Sequence, residues 1–177
     1  MNPAWRLQTG RLLLTPVGWT DLADLVALKG DPRAYAVMLG GVRSPVAVAE
    51  ELAQEMADWS RLGYGMWAIR HSGTDQFVGI VGLQARPDGR GVGLRFALVP
   101  SGQGRGFASE AAGAALRFGH DRVSLPRIVA IARDDNVSSR QVLGAIGMSQ
   151  CDVFLRDGVP MLVFQSSRTT AGTTQPI

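Results

Sequence analysis

Three glycines fall within five residues at Gly102-Gln103-Gly104-Arg105-Gly106, directly after the apolar run Phe96-Ala97-Leu98-Val99 and directly before an alanine-rich stretch opening at Phe107. A strand running through so tight a turn into a helix belongs to an α/β arrangement. Glycine allows positive φ and lets backbone approach a ligand with no Cβ in the way. The helix start adds unpaired N–H groups and the positive end of a dipole. Together these features suit an anion.

Two phosphate loops are excluded by spacing. The nucleoside-triphosphate loop ends in Gly-Lys-Ser/Thr, a string the chain lacks. A dinucleotide fingerprint needs G-x-G-x-x-G or its alanine variant, but counting from Gly102 ends on Phe107 and counting from Gly104 ends on Ser109. A plain surface turn with no ligand stays open at this point.

The rest of the chain places the turn in context. Arg11 to Thr15 reads as a strand ending at Pro16, and Leu22, Leu25, Val26 and Leu28 recur at helical spacing. Residues 33–39 read as a second short helix before Gly40-Gly41. Ser44-Pro45 opens a longer helix to about Leu62, with Gly63 as its stop. Tyr64 to Arg70, Phe77 to Leu83 and Val92 to Val99 are three strands whose short polar connections favour an antiparallel meander. After Val99 the order becomes helix (Arg105 to Phe118), strand (Ile128 to Ala132), helix (Val137 to Ile146) and a final strand pair, Met148 to Leu155 and Val159 to Phe164.

The 177 residues suit one domain with a sizeable core. A single cysteine, Cys151, rules out an internal disulfide and a cysteine-rich zinc site, and no metal is expected. Without an apolar stretch behind Met1 or a run near the roughly 20 residues a bilayer needs, a cytoplasmic protein away from membranes is expected. The net charge of +3 is carried by scattered arginines, so direct nucleic-acid binding is not expected.

Asn136-Val137-Ser138-Ser139 opens the second helix of the C-terminal half. Asn136 suits an N-cap and Gly147 a stop. That reading leaves Ser139 without a role.

Gln103-Gly104-Arg105-Gly106-Phe107-Ala108 resembles the Q/R-x-x-G-x-G/A motif of the GNAT (GCN5-related N-acetyltransferase) superfamily, and Asn136 to Met148 resembles its N-x-x-S-x-x-v-l-x-x-x-G-F/M segment. The longer string Gly102 to Ala111 is similar to the branch of ribosomal-protein N-terminal acetyltransferases, RimJ and RimL, and the order of elements agrees from Thr9 to about residue 165. The resemblance implies an α/β acyl-coenzyme A N-acyltransferase fold, a mixed central sheet splayed between strands four and five with flanking helices. One domain is expected over residues 1–166, with a flexible tail over 167–177 where the chain turns rich in Thr, Ser and Gly.

The same resemblance implies acetyl-coenzyme A as cosubstrate, with Phe96, Ala97, Leu98 and Val99 offering backbone groups to the pantetheine. Gln103, Gly104, Arg105, Gly106, Phe107 and Ala108 would hold the pyrophosphate, and Arg105 either touches phosphate or faces water. Asn136 would cap its helix and contact the cofactor arm, and Ser139 would hydrogen-bond the departing sulfur as the catalytic acid. A backbone N–H near Ala97 to Val99 would serve the oxyanion.

Strand four carries Arg95 and no acid, so a water relay or distant carboxylate must take the amine's proton. Glu110 reads as a structural first-turn residue. A Cys151 nucleophile with His71 or His120 is the other route, and an apolar-strand cysteine reads as core packing.

The branch favours a protein or peptide N-terminal α-amine, with an antibiotic, polyamine or amino-acid amine as the alternative and a non-catalytic acyl-coenzyme A sensor as the other class. The amine is expected over Arg33, Tyr35, Met38, Trp59, Trp67 and Leu83 to Arg86, with Trp19, Trp59 and Trp67 equally readable as core residues, and a homodimer through the final strands is common in the family.

Overall fold

The computed structural model describes residues 2–38 and 40–168. The strands are β1 (Leu7–Gln8), β2 (Leu12–Pro16), β3 (Met66–His71), β4 (Phe77–Ala85), β5 (Val92–Leu98), β6 (Arg127–Arg133), β7 (Ser149–Arg156) and β8 (Val159–Ser167). They form one sheet in the order β1-β2-β3-β4-β5-β6-β8-β7. Every neighbouring pair is antiparallel except β5 and β6. The expected mixed sheet is therefore present. Its splayed pair counts as fifth and sixth here because Leu7–Gln8 adds a short strand at the edge.

Helices α1 (Leu22–Gly30), α2 (Pro32–Tyr35), α3 (Pro45–Leu62), α4 (Phe107–Asp121) and α5 (Val137–Ala145) complete the fold. α2 is shorter than expected, and Leu39, inside the expected helix, lies outside the described residues. The Ser44 hydroxyl accepts from the Ala47 N–H at 3.3 Å, and Gly63 closes α3 with φ of +72°. This is the cap, first-position proline and left-handed stop that the sequence announces.

Strand alternation sorts the core into two layers. Leu12, Leu14, Trp67, Leu94 and Leu98 pack with Phe107, Ala111 and Ala115 of α4. Met66, Ala68, Ile80 and Ala97 pack with Leu25 and Leu28 of α1 and Val48 and Leu52 of α3. The small side chains of α4 lower it onto its face. At its far end α3 brings Trp59 against Trp67, ring centroids 4.7 Å apart, with Phe118 5.1 Å from Trp67. The Trp59 indole donates to the Met66 carbonyl at 2.8 Å. Both tryptophans are core residues and not parts of a pocket.

β5 and β6 hold each other only at Val92 with Ile128 and Gly93 with Val129, although both strands run on. Beyond those two pairs the sheet opens as a V, and this opening positions the site. The expected tail lies outside the described residues from position 169 onward.

Candidate active site

The glycine-rich turn leaves β5 through a short 3-10 turn, Pro100–Gly102, and delivers Gly106 as the N-cap of α4. Gly104 and Gly106 have φ of +70° and +77°, where a side chain is strained. The first helical bond outside the helix proper is the Glu110 N–H to the Gly106 carbonyl, at 3.1 Å. The amides of Phe107, Ala108 and Ser109 precede it and point out of the helix start. Gln103 has a different task. Its backbone N–H donates to Pro100 at 3.2 Å and its side-chain amide to the Leu98 carbonyl at 3.1 Å, so it braces the turn against the end of β5.

Glu110 locks the same turn from the other side. Its carboxylate accepts from the Thr9 hydroxyl at 2.6 Å, the Arg11 N–H at 2.8 Å and the Arg11 guanidinium at 2.7 Å. Burial alone would raise its pKa, but these hydrogen bonds outweigh burial and hold it below the usual glutamate range. Arg11 also donates to the Arg105 carbonyl at 3.0 Å, and the Arg11 and Arg105 guanidinia both sit over the Phe107 ring, at 4.7 and 4.8 Å. Glu110 is thus a structural clamp.

Ladder geometry decides which backbone groups face the V. Val99 donates to the Val78 carbonyl at 3.0 Å, and β4 and β5 keep register from Gly79 with Leu98 to Ala85 with Val92. Antiparallel alternation then turns the N–H and C=O of Ala97 and Val99 toward β4, and those of Phe96 and Leu98 toward the opening. Of the four residues expected to offer backbone groups there, two are in place to do so. The Leu98 carbonyl already takes the Gln103 amide, which leaves the Leu98 N–H and both groups of Phe96.

A cleft of about 320 Å³ passes through the V. On the α4 face it is lined by Leu94, Phe96, Ala130 and Ala132 with Asn136, Ser139 and Leu143 of α5. The Asn136 side chain accepts from the Ser139 N–H at 3.1 Å, the expected N-cap. This cap holds the Ser139 side chain at the cleft wall. On the other face the lining comes from Ala36 to Met38, Gln84 to Pro87, Arg95, Arg133 and the hairpin residues Arg156, Asp157, Val159 and Met161.

Of the residues named for the amine, Met38, Gln84, Ala85 and Arg86 line the opening. Tyr35 and Leu83 are buried in the core, and Arg33 pairs with Asp31 at 2.7 Å on the surface. The hairpin and Arg133 escaped the sequence reading, since no local pattern ties them to the turn.

The Cys–His route has no geometry behind it. His120 spends its two ring nitrogens on the Leu125 carbonyl at 2.8 Å and the Ser166 hydroxyl at 3.0 Å. His71 takes the Gly73 N–H at 3.2 Å. Cys151 does not pack in the core but is exposed, because it sits at the irregularity between Gln150 and Asp152 of edge strand β7. Among the described residues no cluster of histidine, cysteine or carboxylates could hold a metal ion, and no helix is long and apolar enough to cross a membrane.

A sheet split beside a glycine-rich helix start defines an acyltransferase of the GNAT class. The acetyltransferase (GNAT) domain family matches residues 11–149, and the chain belongs to that family. It is 38% identical over 61 residues to the uncharacterized N-acetyltransferase YnaD of Bacillus subtilis (strain 168), a match spanning 34% of this chain and 35% of that protein. An acetyltransferase from Agrobacterium tumefaciens is similar in structure, with a TM-score of 0.80 and 25% identity over 91% of this chain and 93% of that one. Two Vibrio cholerae proteins share the fold. One is a putative ribosomal-protein-serine acetyltransferase (TM-score 0.73, 19% identity, 94% of this chain and 99% of that one). The other is a spermidine N-acetyltransferase held with coenzyme A and spermine (TM-score 0.75, 16% identity, 91% of this chain and 98% of that one).

Proposed function

We propose that the protein transfers an acetyl group from acetyl-coenzyme A to a primary amine by direct attack, and that the amine is the N-terminal α-amine of a peptide or protein. The observation that carries this reading is the cleft through the split sheet. It joins the face that holds the Ser139 helix to the face bounded by α2 and the β7–β8 hairpin. Two substrates can thus meet from opposite sides.

The residues fit the acetyl donor. Amides from Gly104 to Ala108 serve the pyrophosphate, because oriented backbone dipoles stabilise a diphosphate without a metal. Phe96 offers its backbone to the pantetheine, beside the capped Asn136. When bound, acetyl-coenzyme A supplies an activated thioester carbonyl. The Leu98 N–H serves the oxyanion and the Ser139 hydroxyl hydrogen-bonds the leaving sulfur. The proton of the attacking amine leaves through water toward Asp157, the one carboxylate lining the cleft among the described residues. Positioning of both reactants supplies the rest of the acceleration.

The similarity of Gly102 to Ala111 to the ribosomal-protein N-terminal branch supports a peptide acceptor. In this reading the protein is cytoplasmic and pairs as a homodimer at the β7 edge, where Val153 and Leu155 are exposed. Thiol release from acetyl-coenzyme A in the presence of peptides, polyamines and aminoglycosides tests the proposal. Turnover with a peptide N-terminus is the expected result. Calorimetric binding of acetyl-coenzyme A with no turnover of any amine overturns it in favour of a sensor.

A further inference from the structure

Among the described residues, four arginines and one aspartate are the charged side chains lining the cleft. Two of the four are neutralised by neighbours in sequence. Arg86 meets Asp88 at 2.6 Å and Arg133 meets Asp135 at 2.7 Å. The other two form no close ion pair among the described residues, although Arg95 lies near enough to the buried Glu55 carboxylate to oppose the rise in its pKa. Arg95 donates to the Gln84 side-chain carbonyl at 2.9 Å, a neutral acceptor, and Arg156 lies over the Phe154 ring at 5.5 Å.

Parity places Arg95 on the acceptor side. Gly93, Arg95 and Ala97 share one face of β5, and Ala97 packs with the α1 and α3 core. The turn proposed for the coenzyme A phosphates opens instead at the start of α4, whose core lies on the opposite face. Arg95 and Arg156 are therefore not needed for the donor's own charges. Both are partly exposed, so their guanidinia are open to a ligand while shielded from bulk water. A guanidinium presents paired donors that match a carboxylate.

From this arrangement we infer that the amine acceptor carries a carboxylate near its reacting nitrogen, bound by Arg95 and Arg156, and that cationic acceptors such as polyamines are rejected. The inference rests on the acetyl-transfer reading above. An acidic residue at the second or third position of a peptide supplies that carboxylate, and so does the α-carboxylate of a free amino acid. Repulsion between the two arginines and a second ammonium group disfavours polyamines and lysine-rich peptides.

The test measures kcat/KM for the full-length protein with acetyl-coenzyme A and C-terminally amidated peptides that differ only at position two, as Ser-Glu, Ser-Gln and Ser-Lys. Free glutamate and spermidine are run beside them. The Ser-Glu peptide is expected to exceed Ser-Gln by about tenfold, the scale of one charge-assisted hydrogen bond, and Ser-Lys to fall below both. Free glutamate as the better acceptor assigns the carboxylate to an amino acid, and the Ser-Glu peptide as the better one assigns it to a chain.

Arg156→Gln and Arg95→Gln are each expected to cut the Ser-Glu to Ser-Gln ratio by several-fold while thermal melting stays near that of the parent. Because the readout is a ratio within one variant, general loss of activity does not mimic the effect. Equal rates for Ser-Glu and Ser-Gln, spermidine as the best acceptor, or an unchanged ratio in both variants overturns the inference and leaves the acetyl-transfer reading standing. Bound acetyl-coenzyme A with no acetylated amine overturns both.

Discussion

Lys29, the chain's one lysine, is 0% exposed, and its ammonium donates to Glu55 of α3 at 3.1 Å. It also reaches Glu51 at 2.9 Å, which in turn pairs with Arg43. Burial alone would lower the Lys29 pKa, but Glu55, with smaller contributions from Tyr35 and Glu51, raises it above the usual lysine value. At Glu55 burial wins and its pKa is raised, and among the described residues its second oxygen has no hydrogen-bond partner.

Removing one member of such a group is costly because the other stays buried and charged. Lys29→Met is expected to lower stability by about 3–5 kcal/mol, and Lys29→Met with Glu55→Gln by clearly less. Urea unfolding followed by circular dichroism checks both. Equal losses for the single and double variants would show that the two groups are not coupled.

The Glu110 clamp has an acid-side signature. Its folded pKa is depressed, so its contribution is present above the ordinary glutamate value of 4.5 and is lost as pH falls through the folded value. Glu110→Ala should cost about 1.5–3 kcal/mol at pH 7, the range for hydrogen bonds to a charged group. That difference from the parent should shrink in unfolding curves taken progressively below pH 4.5. A gap that stays constant down to acid would mean the carboxylate is not responsible.

Gly106→Asp puts a carboxylate at the start of α4 with φ of +77°. The strain of a left-handed non-glycine residue is about 1–2 kcal/mol, which the fold should survive. Affinity for acetyl-coenzyme A should fall by at least about tenfold through repulsion of the diphosphate. Titration calorimetry giving parental affinity would remove the turn from the cofactor site.

Ser139→Ala should separate chemistry from binding. The Asn136 cap uses the Ser139 backbone N–H and not its hydroxyl, so the helix start survives the change. Turnover is expected to drop about tenfold or more while donor affinity stays within about twofold. Identical kcat in variant and parent would exclude the hydroxyl from the mechanism.

The parts of the site that could be read from the sequence are the ones whose cause is local. Gly104 and Gly106 announce a turn by their own conformational range, and Asn136 announces a helix start three residues before the amide it caps. Residues assembled from distant segments gave no such signal. Arg86, Arg95, Arg133 and Arg156 come to one cleft only through the sheet order, which sets β4, β5, β6 and the β7–β8 hairpin side by side. Lys29, at the last turn of a helix, has the local signature of a solvated charge. Its burial depends on carboxylates 22 and 26 residues further on. Trp59 and Trp67 could have been pocket or core by spacing, and only the stacked cluster of rings decided between the two. Ladder parity likewise had to be seen before Phe96 and Leu98 could be separated from Ala97 and Val99.

The two residue pairs that join β5 to β6 also have a mechanical meaning. Eight strands in one sheet would ordinarily move as a single plate, but this one is two plates, β1 to β5 and β6 to β8, riveted at one end. Past the rivet each plate presents a raw inner edge of peptide groups, a liability that a central strand normally never has. In the proposed reading a ligand arm along the Phe96 edge would fill the seam as a temporary strand, and occupancy and stiffness would rise together. Amide exchange in β5 and β6 is where that stiffening would first be felt.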